Sequence, residues 1–132
     1  MRKINIRTNF IHGFQDAYAN TSWRISHARY DARTNDIATF GILEKHLETE
    51  EAFLLLEGNA FLVTAGKENI PSPPLVTPFT KGEVLLVEKA EWHVCIHTPG
   101  SHILIIENGK ESKSEQSVID ASMRKAIVGR VS

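Results

Sequence analysis

The chain has 132 residues, enough for one domain with one core and too few for two. Hydrophobic residues make up 42% and charged residues 23%, with a formal net charge of -1, which excludes a disordered chain. The fifteen Lys and Arg are scattered among sixteen Asp and Glu, which excludes the basic, aromatic-interleaved surface that nucleic acid needs.

Taken in chain order, short apolar and β-branched stretches alternate with turn signals, the rhythm of a sandwich or barrel. Strands are expected at residues 3–7, 23–30, 37–43, 52–57, 60–65, 83–88, 93–97 and 103–107. Trp23, Ile25 and His27 alternate with Arg24, Ser26 and Ala28, as on a half-buried strand. A polar turn is expected at residues 47–50, and Gly58-Asn59 reads as a two-residue hairpin turn because both types tolerate positive φ. Residues 68–78 hold Pro71, Pro73, Pro74 and Pro78, so they form a loop or a sheet edge. Residues 107–115 are a charged run read as a solvated linker, and residues 117–128 have helical spacing. A helix over residues 43–56 is rejected, since its apolar stripe would include a glutamate and run into Gly58-Asn59.

The single cysteine, Cys95, excludes an intrachain disulfide framework, reads as a small buried hydrophobe, and fits a reducing, cytoplasmic setting. Apolar runs such as residues 53–56 are far too short to span a bilayer, and the charged start has no apolar stretch behind it. Neither a membrane nor a nucleic acid is expected as a partner. The segment from Arg2 to Arg7 is expected as an edge strand that adds to a neighbour's sheet and makes a homodimer.

The chemistry gathers around residue 46. Glu44 and His46 are two apart on one strand and share a face, and Glu51 opens the next strand across the turn. His93 starts a later strand and completes a four-group N/O set for one divalent ion: Glu44, His46, Glu51 and His93. Such a cysteine-free set suits a catalytic or labile ion, with zinc, manganese, iron and nickel all open. His12, His27 and His102 have no matched partners and read as structural or surface groups, and His97 as a strand-end or turn residue.

The spacing Glu44-x-His46-x4-Glu51-x6-Gly58 resembles the first cupin motif, with Glu44 where the consensus has His. Gly82-x5-Glu88-x-Ala90-x2-His93-x3-His97 has the spacing of the second motif without its Pro, second Gly and Asn. The resemblance implies an all-β fold, a cupin-type double-stranded β-helix or jelly-roll barrel, here with a short C-terminal helix, and a divalent metal in the barrel. Within the cupins, Leu43-Glu44-Lys45-His46, Ala52-Phe53, Gly58 and Trp92-His93 resemble the ureidoglycolate lyase group, which releases urea and glyoxylate. That group typically has Gln in place of Glu51, and basic or amide groups in place of Leu86, Val87 and Glu88.

The resemblance implies a small organic acid as the ligand. It would be polarised by the metal, with Glu51 or Glu88 moving a proton, Lys89 meeting a carboxylate and Trp92 walling the pocket mouth. The alternative is a barrel that binds or senses a small molecule without metal and without catalysis.

Overall fold

The computed structural model describes residues 1–7, 12–109 and 113–131. Ten strands and one helix follow one another: β1(Gly13–Ala19), β2(Trp23–Arg29), β3(Ile42–His46), β4(Glu51–Glu57), β5(Ala60–Thr64), β6(Leu75–Pro78), β7(Val84–Val87), β8(His93–His97), β9(His102–Asn108), β10(Ser114–Val118) and α1(Ala121–Val131). They form two five-stranded antiparallel sheets, ordered β1-β2-β9-β4-β7 and β10-β3-β8-β5-β6. Successive strands cross repeatedly between the sheets, the two-sheet jelly-roll pattern.

Period-two alternation sends one set of side chains between the sheets and the other outward. Phe53, Leu55, Leu62, Phe79, Val87, Ile103 and Ile105 fill one end of the interior. The outer face of the second sheet is also buried, because α1 lies over it: Phe40, Leu43, Val63, Trp92, Ile96, Ile119 and Ile127 form a second core. Each large aliphatic or aromatic side chain so buried contributes roughly 1.5–3 kcal/mol.

Several expectations are corrected. Residues 3–7 form no strand: the sheet edge beside β2 is taken by β1, so this segment has no ladder within the chain. β3 begins at Ile42 rather than 37, because Asp36 caps a turn there, its side chain accepting from Ala38 N at 2.8 Å and its carbonyl from Phe40 N at 2.9 Å. Gly58-Asn59 does not close a hairpin, since β4 and β5 belong to opposite sheets. Gly58 has φ of 77°, and a Cβ there would stand 2.8 Å from Ser101 Cα, so the turn is a corner that passes against the chain before β9.

The helix starts later than expected, at Ala121, where Asp120 Oδ1 accepts from Met123 N at 2.7 Å. Ser117 and Val118 instead complete the β10 ladder against Leu43 and Ile42. The proline-rich segment does include a strand, β6, and it lies at a sheet edge.

Candidate metal centre

Sheet register decides which side chains meet inside the barrel. On β3, Glu44 and His46 face inward and Lys45 outward. Lys45 is buried all the same, its ammonium 4.5 Å from the Trp92 ring centroid, 3.2 Å from the Glu68 carbonyl and 3.6 Å from Glu115. On β8, beside β3, Glu44 is the register partner of His93, which faces inward. Glu51 opens β4 on the opposite sheet, so the turn at residues 47–50 carries the chain across the interior and brings Glu51 back against His46.

His46, Glu51 and His93 thus meet from both sheets, with one ligand atom of each within 4.8 Å of the others. Glu51 Oε1 pairs with His46 Nε2 and lies 3.5 Å from His93 Nε2. His46 Nε2 is also 3.2 Å from Glu44 Oε1, whose side chain is 41% exposed and stands at the rim. His93 Nδ1 donates to the Glu91 carbonyl at 2.9 Å, which fixes the ring and turns Nε2 toward Glu51. The Phe53 ring packs edge-on against His93, centroids 6.0 Å apart.

Burial would lift the Glu51 carboxyl, but the facing imidazoles of His46 and His93 outweigh it and hold the pKa at about 2. Glu51 in turn raises the pKa of His46 against the desolvation that would lower it. Glu51 Oε1 is buried and, although it touches both Nε2 atoms, is aligned with neither as a hydrogen-bond acceptor. An ionised carboxylate oxygen left this way between two imidazole nitrogens fits a divalent cation.

The group opens on a cavity of about 840 Å³ that runs along the barrel past Phe53, Cys95, Ile105 and His97. His97, read from the sequence as a strand-end residue, does end β8; it also lines this cavity and donates to or accepts from Ser101 Oγ at 2.7 Å. Burial pushes its pKa down to about 4. Cys95 lies on the cavity wall, and desolvation raises its thiol pKa, consistent with an inert small apolar side chain.

The other expected site residues lie elsewhere. Glu88 follows the inward Val87 into a turn, where it is exposed and paired with Lys67 at 3.0 Å. Lys89 is exposed and is not on the cavity wall. Trp92 precedes His93 and so faces the opposite way, into the outer core, its Nε1 donating to the Glu68 carbonyl at 2.8 Å.

The sequence reading passed over two cavity residues. Arg24 donates Nε and Nη2 to Glu107 Oε1, at 3.0 and 2.6 Å. Glu107 is buried at 9% exposure on β9 rather than in a solvated linker, and burial with the nearby Glu51 charge raises its pKa. The signal for Arg24 was its place opposite the Trp23–Ile25–His27 face of β2. His27 and His102 form a buried pair of their own, Nδ1 to Nε2 2.8 Å, away from the cavity wall.

No known family profile and no curated sequence matches the chain. Solved structures do. An RmlC-like cupin protein from Desulfovibrio desulfuricans superposes with a TM-score of 0.59 at 17% identity, over 83% of this chain and 97% of its own. A cupin 2 domain-containing protein from Halorhodospira halophila gives 0.55 at 16%, over 94% and 80%. An oxalate oxidase gives 0.56 at 10%, over 85% and 58%. The chain has the cupin fold: two antiparallel sheets closed into a jelly roll, with one short C-terminal helix. None of its helices, among the described residues, is long and apolar enough to cross a membrane.

Proposed function

We propose that the protein is a divalent-metal cupin acting on a small organic acid, with chemistry of the ureidoglycolate lyase kind. The observation that carries the reading is the inward cluster of His46, Glu51 and His93, with His93 fixed by the Glu91 carbonyl and Glu51 Oε1 left without an aligned partner. A metal held there would act as a Lewis acid on an oxygen of the acid.

The chain's own groups have separable tasks. Glu51, ionised at neutral pH, and the Nε2 atoms of His46 and His93 hold the cation, and Glu44 shields the rim. Glu107 takes the proton-carrying place expected of Glu88: it lies inside the cavity, next to Glu51 in register, with a carboxyl pushed upward. Phe53 and Ile105 limit water around the bound acid.

The test is incubation of metal-loaded protein with ureidoglycolate while urea is assayed. Urea release above that of the His46→Ala variant is expected. No release, with metal bound, would remove the lyase assignment and leave the metal site standing. The rival reading, a metal-free binding barrel, predicts instead that ligand affinity is the same with and without added metal.

A further inference from the structure

Register places three charged side chains in one row across the first sheet. Arg24 on β2 is the partner of Glu107 on β9, and Glu107 is the partner of Glu51 on β4. All three line the cavity. The row therefore runs from the candidate metal group to a guanidinium over two strand spacings, about 10 Å between the outer Cα atoms.

Among the described residues, Arg24 is held by one edge only. Its Nε and Nη2 both go to Oε1 of Glu107, and Nε lies 3.8 Å from Asp16 Oδ1. A guanidinium has five N–H donors in a planar fork, so a side chain tethered at that edge keeps donors to present. It is 29% exposed, partly open to the cavity rather than sealed in the wall. The other arginine on the wall, Arg33, is paired with Asp31 in the same way, through Nε and Nη2 at 3.1 and 3.0 Å, but at 81% exposure its guanidinium stands in solvent rather than within the cavity. Lys45 faces out of the barrel, and Lys89 lies off the cavity wall.

We propose that Arg24 binds a carboxylate at the end of the ligand remote from the metal group, with Glu107 as the tether that aims the guanidinium. The site would then take a bifunctional acid, with a chelating end such as a 2-hydroxy acid toward His46, Glu51 and His93, and a free carboxylate toward Arg24. Bidentate carboxylate recognition is the geometry an arginine fork supplies and a lysine does not. The inference rests on the metal-site reading above, and its test separates the two.

The probes are malate, as both enantiomers, and lactate, which keeps the hydroxy-acid end and lacks the distal carboxylate. Both are titrated calorimetrically into Zn²⁺-loaded protein. Wild type should bind one malate enantiomer at least about tenfold more tightly than lactate. The double variant Arg24→Gln with Glu107→Gln, which avoids stranding a buried carboxylate, should bring that ratio to near one by weakening malate. Arg24→Lys should keep part of the preference. A wild-type ratio near one, or a ratio preserved in the double variant, overturns the assignment. If no zinc is retained, the metal reading fails by itself; malate is then titrated into metal-free protein, where loss of binding in the double variant supports Arg24 and equal or absent wild-type binding overturns it.

Discussion

His93 shows how one residue is committed to a task by two contacts. Its Nδ1 is engaged by a backbone carbonyl and its Nε2 faces a buried carboxylate, so the ring has one orientation and presents Nε2 to the cluster. Replacing His93 or His46 by Ala should cut metal uptake to below about a tenth of an equivalent while far-UV circular dichroism stays that of the wild type. Glu107→Gln should keep the metal and lower turnover of an accepted acid by about 10²–10⁴-fold, the usual contribution of a proton-transfer group, read as kcat. The meeting of His46, Glu51 and His93 was legible in the sequence because each begins or ends a strand beside the same turn or ladder, whereas Glu44, expected as a fourth ligand, stands at the rim outside that group. Arg24 and Glu107 were not: they meet only through the β2–β9 ladder, 83 positions apart, and no local spacing records that pairing.

At the level of elements, the corner at Gly58 and the helix α1 carry distinct loads. Gly58→Ala would force a side chain into a positive-φ position and against the Ser101 backbone, so a loss of about 1–3 kcal/mol is expected, read from urea midpoints at unchanged m-value. Ile127 is fully buried on the inner face of the helix, and Ile127→Ala should cost about 2–5 kcal/mol, whereas Lys125→Ala on the exposed side should stay within about 0.5. The central strands were readable from their apolar content, as β4, β5 and β8 show. The strands that were missed, β1 and β10, lie at sheet edges, as does β6 in the proline-rich segment expected as a loop or an edge; polar residues and proline are tolerated there because only one side needs a ladder. The same edge character made Ser117 and Val118 look like the start of a helix.

Across the whole molecule, acid should weaken the fold before it reaches the carboxylates. His97 and His102 have pKa values lowered to about 4 by burial, so the unfolded chain takes up protons from about pH 6.5 while the native state does not. Stability is then insensitive to these groups above pH 6.5 and falls as pH drops toward 4, by about 1.4 kcal/mol per pH unit for a well-buried histidine such as His97. The depressed Glu51 adds its own loss only below about pH 4.5, and the raised His46 acts above pH 6.5; between them the raised Glu107 carboxyl acts in the opposite sense to the buried histidines, so the His97 contribution is read as the difference between wild type and variant. Denaturant midpoints measured from pH 7 to 5 should show this slope, and His97→Gln should flatten it; a slope unchanged by that substitution would remove His97 from the account.

The cavity matters to the molecule because both sheets contribute its walls, and the candidate cation site is where they meet. Metal content of protein purified without chelator, then reconstituted with a divalent ion, tests this most directly. The account predicts about one equivalent in wild type, lost in the His46→Ala and His93→Ala variants. Less than about a tenth of an equivalent in reconstituted, folded wild type would contradict it.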